Sequence, residues 1–413
     1  MQTKKLGLMT WIDARFPATK LWKEHLSEYY TPKNFNFWYY FGALALVVLV
    51  IQLVSGIFLT MHYKPSAAEA FASVEYIMRD VPYGWLLRYL HSTGASAFFI
   101  VVYLHMFKAV LYGSYKKPRE LLWLFGMGIY LCLMAEAFMG YLLPWGQMSF
   151  WGAKVITSLF EAIPFIGSTL VEWIRGGTGL SDATLNRFFA LHVIAVPLVL
   201  LLLVFLHIIS LHEVGSNNPD GIEIKENKDK NGIPLDGIPF HPYYTVKDLF
   251  GVGVFFIIFF AILFFVPDFG GYFLEGPNFE PANPMKTPVH IAPVWYMTPF
   301  YAILRAVPDK LGGVIAMGAA IAILFVLPWL DRSPIKSIRY RGWIFKVALS
   351  GFVISFVGLG YLGMIPPSAG RMLAAQLLSV LYFAFFILMP IYTSLEDPKK
   401  LSQTKPIPKR VIF

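Results

Sequence analysis

The sequence predicts an all-α membrane protein with eight transmembrane helices in two halves of four, preceded by an amphipathic surface helix. Three observations carry this. Of 413 residues, 57% are hydrophobic and 17% aromatic, while Asp, Glu, Lys and Arg together make up only 14%. A globular domain carries about 25% charged residues, so soluble enzymes, disordered chains and nucleic-acid binders are excluded. The net charge of +9 then points to a membrane surface. Apolar segments recur at the roughly 20-residue length that crosses a bilayer. Finally, Lys and Arg alternate between successive loops.

The first element, Lys4 to Tyr30, repeats Leu6, Met9, Ile12, Phe16 and Trp22 among lysines, the pattern of a helix lying on the membrane. Eight apolar segments follow, near 38–61, 84–107, 121–142, 187–211, 249–267, 312–330, 343–364 and 373–393. Eight crossings put both termini on one side. The loops on that side hold 22 Lys and Arg against 8 in the alternate loops, so the termini are cytoplasmic by the positive-inside rule. The organisation is a surface segment (1–37), a four-helix bundle (38–212), an inner linker loop (213–247), a C-terminal four-helix half (248–393) and a basic inner tail (394–413). Two long outer loops, 143–182 and 267–310, are apolar and aromatic, with Pro144, Pro164, Pro293 and Pro299 punctuating short helical runs.

Four histidines lie inside the second and fourth apolar segments, where polar groups are costly. His91 and His105 are 14 residues apart, and His192 and His207 are 15 apart. Fourteen steps return to within roughly 40° of the starting face and rise about 21 Å. Each helix therefore offers two imidazoles on nearly one face, one near each leaflet. The two helices run parallel, so His91 can meet His192 and His105 can meet His207. Two bis-histidine haem b sites follow, with no open iron position, as suits electron transfer. The single Cys132 excludes a cysteine-ligated cluster, an internal disulfide and covalent haem attachment. Gly42 and Gly56, and Gly126 and Gly140, repeat the 14-residue spacing on the first and third segments, where backbone without Cβ can approach a macrocycle. Arg88 and Arg187 lie near the outer histidines, as haem propionate partners or as interface arginines. A proton-coupled transporter would also place histidines in spans, but it predicts inverted repeats and broken helices, and no clear repeat is visible.

Seven stretches in order, among them NFWYYFGALALVVLVIQLVSGIFLTMHY, GWLLRYLHSTGAS, GYLLPWGQMSFWGAKVIT, LNRFFALH, IPFHPYYTVKDL and PANPMKTPVHIAPVWY, give the chain a resemblance to the cytochrome b family, the membrane subunit of quinol:cytochrome c oxidoreductase (respiratory complex III). The likeness covers nearly the whole chain, and the fused eight spans resemble the respiratory type rather than the split chloroplast relative. The resemblance implies a low-potential outer haem (His91, His192) and a high-potential inner haem (His105, His207). It also implies an outer quinol-oxidising site framed by Phe138, the stretch from Gly140 to Gly152, and Pro293, Val294, Trp295, Tyr296 and Tyr301. An inner quinone-reducing site would use His212, Ser216, Lys247 and Asp248, of which His212 and Asp248 can donate the protons that quinone reduction consumes. A Rieske iron–sulfur protein, a cytochrome c-type haem subunit, ubiquinone, membrane lipid and a second copy of the complex are the implied partners.

Two departures from the family pattern stand out. The second position of the family's PEWY-type motif is Val294 here, and an aliphatic side chain accepts no proton. Glu275, 19 residues upstream in the same loop, follows an apolar aromatic stretch whose burial would raise its pKa, and is expected to supply the carboxylate. The His192 to His207 spacing is one residue longer than the respiratory pattern, so a local kink at Pro197 is expected to keep both rings in place. Val294 and the hydrophilic loop 213–247 also favour a bacterial plasma membrane over a mitochondrial one.

Overall fold

A computed structural model of the chain describes residues 8–397. Lys4 and Leu6 of the surface segment, and residues 398–413 of the basic tail, lie outside the described residues. Seven helices are long and apolar enough to cross a membrane: α1 (Phe37–Thr60), α2 (Gly84–Tyr112), α3 (Glu120–Leu142), α4 (Asp182–Val214), α5 (Tyr243–Phe265), α7 (Trp343–Met364) and α8 (Ala369–Ile387). Between α5 and α7 runs the shorter apolar helix α6 (Lys310–Phe325). The sequence predicts one continuous segment over 312–330. Instead the chain breaks at Val326, just before Pro328, and resumes as the short helix Leu327–Leu330.

The N-terminal region also differs from a single surface helix. Leu8–Asp13, Ala18–Trp22 and a π-helical turn Lys23–Ser27 follow one another, with Pro17 at the first break. Proline pushes the residue before it out of the helical region, and Asp13 instead accepts hydrogen bonds from the amide and hydroxyl of Thr19. Leu8, Met9, Trp11, Phe16 and Trp22 remain exposed. A two-stranded ribbon that the helical pattern does not foresee ties this region down, pairing Tyr30–Pro32 antiparallel with Gly237–Pro239.

In the first half α1 packs along α2 and α3 along α4, while α5 leans on α1 and α2. In the second half α7 packs against α8 and against the outer helix Thr298–Ala306. One core joins the halves: the Trp123 indole donates to the Leu324 carbonyl, and Phe99 stacks on Tyr296 at 3.8 Å. Outward faces such as Leu198, Leu202 and Phe205 on α4 and Ile257 and Phe264 on α5 stay exposed, as lipid-facing surfaces require.

The loops gather at two ends. At one end meet 113–120, 213–247 and 331–342, held by buried charge. Arg119 makes a two-pronged pair with Glu223 at 2.7 Å, and Lys336 joins the same carboxylate at 2.5 Å. Asp331 takes Lys116 at 2.9 Å and Arg341 at 2.8 Å. Gly113 closes α2 at φ +64°, and a Cβ there would stand 2.8 Å from the Lys336 carbonyl, so glycine is needed both for the turn and for the close approach. At the other end loops 143–182 and 267–310 are stitched by neutral groups and by one exposed ion pair, Lys310 with Glu161 at 3.3 Å. The Gln147 side chain donates to the Lys286 carbonyl and accepts from the Asn283 amide, and the Trp151 indole donates to the Asn283 carbonyl.

Candidate functional site

The helical pairs α1–α2 and α3–α4 bring the four histidines face to face. The rings of His91 and His192 have centroids 6.1 Å apart, and those of His105 and His207 are 6.3 Å apart. Metal–imidazole bonds are about 2 Å long, and the centroid lies roughly 1 Å behind the nitrogen, so either gap admits one metal between two facing nitrogens. Among the described residues no three His, Cys, Asp or Glu side chains converge to hold an ion by themselves. Each pair therefore suits an iron whose remaining ligands arrive with a macrocycle.

The glycines fit that reading. A Cβ on Gly42 would lie 3.4 Å from His105, on Gly56 3.2 Å from His91, on Gly126 3.3 Å from His207 and on Gly140 2.5 Å from His192. Each glycine thus backs one histidine on the neighbouring helix, two at each level. The second nitrogens are held from behind: His91 Nδ1 is 3.0 Å from the Ser55 hydroxyl, and His192 Nδ1 is 3.0 Å from the Glu136 carbonyl.

The extra residue between His192 and His207 is absorbed before Pro197 rather than by a simple kink. Leu191–Ala195 forms a π turn, closed by the Val196 amide donating to the Leu191 carbonyl. A π turn holds one residue more than an α turn, so 15 residues through it rotate about as far as 14 in regular helix. Pro197 follows naturally, because it has no N–H to give and its ring crowds the carbonyl four residues back. Arg187, one turn before the π segment, donates to the Trp173 carbonyl. Arg88 is half-buried on α2, three residues before His91. Lys108, three residues past His105, places its Nζ 4.1 Å from the Tyr39 ring centre and puts a cation beside the inner pair.

Beside the outer pair lies an apolar cavity of about 260 Å³, lined by Phe138, Tyr141, Gly152, Pro293, Val294 and Tyr301 among others. Trp295 and Tyr296 do not line it: the Trp295 indole donates to Ser96, and Tyr296 is buried against Phe99. Behind the wall, the Tyr141 hydroxyl donates to Glu275 Oε2 at 3.0 Å, and the Asn278 amide reaches both, at 2.9 Å and 3.2 Å. Burial pushes the Glu275 carboxyl up to about 7, against the smaller lowering effect of these hydrogen bonds. Burial likewise raises the Tyr301 hydroxyl, which keeps its proton at neutral pH.

At the charged end His212 stacks on Tyr29 at 4.3 Å and lies 3.3 Å, Nδ1 to Nδ1, from His25. The Tyr29 side chain also stands by Ser216. Lys247 is exposed with its Nζ over the Tyr244 ring, and Asp248 is half-buried at the start of α5. The sequence pattern singles out Tyr141 only as part of the Gly140 to Gly152 stretch, and Glu136, Ser55, His25 and Tyr29 not at all. Only Glu136 carried a signal, as a carboxylate deep inside an apolar helix.

Residues 26–215 match the family described as cytochrome b/b6/petB, and residues 281–383 match its C-terminal cytochrome b/b6/petD counterpart. The chain is 62% identical to cytochrome b of Allochromatium vinosum over 100% of both chains, and 51% identical to cytochrome b of Rickettsia prowazekii over 96% of this chain and 97% of that one. A solved structure described as a hyperthermophilic respiratory complex III aligns with a TM-score of 0.87 at 42% identity, covering 94% of this chain and 99% of its own. With paired histidines, facing glycines and end-to-end identity in agreement, the chain belongs to the cytochrome b family.

Proposed function

We propose that this subunit of quinol:cytochrome c oxidoreductase holds two non-covalent b haems, one between His91 and His192 and one between His105 and His207. Quinol is oxidised at the outer cavity and quinone is reduced near His212, with protons released outside and taken up inside. The observation that carries this reading is the fourfold match of glycine to histidine across neighbouring helices at two levels. Haem at those levels supplies a one-electron path between the two faces.

The chain's own residues do the rest. The apolar wall of Phe138, Pro293 and Val294 suits a quinone ring and excludes water. Tyr301 offers a hydroxyl donor, while Val294 can take no proton. Tyr141 joins the cavity to Glu275, whose carboxyl near 7 is matched to accepting a proton at neutral pH and passing it outward. Near His212 the imidazole of His25 and the hydroxyls of Tyr29 and Ser216 are donors for a reduced quinone, with Asp248 and Lys247 at the neighbouring helix start.

Helix α6 with Leu327–Leu330 runs between loops that meet at opposite ends, which supports eight crossings, both termini inside, and the division into a 38–212 bundle and a 248–393 half. The exposed apolar residues of 8–27 suit a membrane surface. With Cys132 as its one cysteine, the chain needs a Rieske iron–sulfur partner and a cytochrome c-type subunit. The complex is placed in a bacterial plasma membrane as a homodimer using ubiquinol. Potentiometric titration of haem b absorbance with haem quantitation tests the reading: two b haems per chain at separate potentials are expected, and their absence overturns it.

A further inference from the structure

We propose that Glu136 is a positioning residue of the outer histidine pair: a side-chain oxygen accepts the Nδ1 hydrogen of His192, setting that ring's orientation and its donor strength toward the iron. This rests on the two-haem reading. Glu136 stands 16 residues into the 23-residue helix α3, with 13% of its side chain exposed. Among the described spans only Asp248, five residues inside α5, is another carboxylate more than a turn from a helix end. Such a group inside a membrane is expensive and needs a partner. The Glu136 Oε2 lies 2.6 Å from His192 Nδ1 as an ion-pair contact, while both buried carboxylate oxygens form no hydrogen bond in this structure.

The Glu136 backbone carbonyl approaches the same nitrogen, so one N–H faces two oxygens of a single residue. That fixes the hydrogen on Nδ1 and leaves Nε2 free to bind a metal. The other three rings lack this feature. His91 has the neutral Ser55 hydroxyl, and no carboxylate pairs with His105 or His207 among the described residues. An acidic acceptor strengthens an imidazole as a ligand and favours the oxidised metal. The asymmetry therefore lowers the outer potential relative to the inner one.

The test is redox titration and low-spin ferric EPR of the purified complex carrying Glu136→Leu or Glu136→Gln. In Glu136→Leu the outer haem's reduction equilibrium is expected to shift about tenfold toward the reduced form, roughly 59 mV for one electron, with the inner haem unchanged. Glu136→Gln, which keeps a carbonyl oxygen, should shift less and restore most of the EPR signal. An unshifted outer haem in Glu136→Leu, or equal shifts at both haems, overturns the proposal. If Glu136→Leu assembles without haem, Glu136→Ala is judged by the same criterion. A wild-type complex lacking two b haems would instead remove the parent reading, and shows before any variant is made.

Discussion

The charged end of the bundle closes its loops with buried ion pairs, whereas the outer end closes them with amide and carbonyl groups around an apolar cavity. At the charged end Arg119, Glu223 and Lys336 come from three loops and are almost fully buried, so removing Glu223 takes the shared carboxylate from two cations in a low-dielectric site. Burial alone would raise the Glu223 carboxyl, but the hydrogen bonds and charges of Arg119 and Lys336 outweigh it and hold it below the usual range. At the outer end Gln147 and Asn283 fix the loop backbones as neutral groups, and among the described residues no cation offsets the burial of Glu275, so its carboxyl is raised. The same residue type is thus locked as an anion at one end and poised to exchange a proton at the other. A clamp needs the first condition and a proton-releasing substrate site needs the second.

Removing the clamp has the largest expected effect. Glu223→Ala removes the carboxylate that Arg119 and Lys336 share and should cost about 3–5 kcal/mol, read as a lowered unfolding midpoint in detergent. Because the folded pKa is depressed, the Glu223 contribution is present above pH 4.5 and is lost as pH falls through the folded value. A variant that loses stability in acid just as the wild type does would break the contrast. At the outer end, Glu275→Gln should slow quinol oxidation on the order of a hundredfold above pH 7. Below about pH 7 the wild-type carboxyl is protonated and accepts nothing, so the rate should climb through that pH, and the climb should vanish in the variant. An unchanged pH profile would leave Glu275 a structural partner of Tyr141. The smallest effect compares the two haem levels. Gly140→Ala, with 2.5 Å to His192, should cost roughly 1–3 kcal/mol of packing and deplete the outer haem, while Gly42→Ala, with 3.4 Å to His105, should leave the inner one nearly full. Equal haem content in both variants would mean the levels are packed alike.

Much of the site was legible because membrane helices obey a short list of rules. Apolar length located seven of the eight expected spans, the segment 312–330 being a shorter broken helix, and spacing on a regular helix put each histidine opposite its partner and each glycine behind a ring. The π turn at Leu191–Ala195 was hidden, because a one-residue insertion can be taken up by a kink, a bulge or a rotated ligand, and packing of α4 on α3 chooses among them. The break at Val326 and the broken helix around Pro17 follow from prolines that were visible but whose local cost depends on neighbours. Trp295 and Tyr296 illustrate the limit from the other side: a loop motif states which residues are near a site, not which of them turn into it.

By itself the sequence determined the membrane class and the spacing that pairs the histidines, since each depends on composition or on distance along a helix, whereas the departure at Val294 and the expectation for Glu275 came from the resemblance. Only the tertiary structure decided that Tyr141 links the cavity to Glu275, that Glu136 meets His192, that His25 meets His212, and that three loops share one buried ionic cluster. Those pairs are separated by tens to hundreds of residues along the chain, and no local periodicity encodes which helix faces meet. Their formation depends on the helices packing into a single arrangement that buries each charge beside a partner.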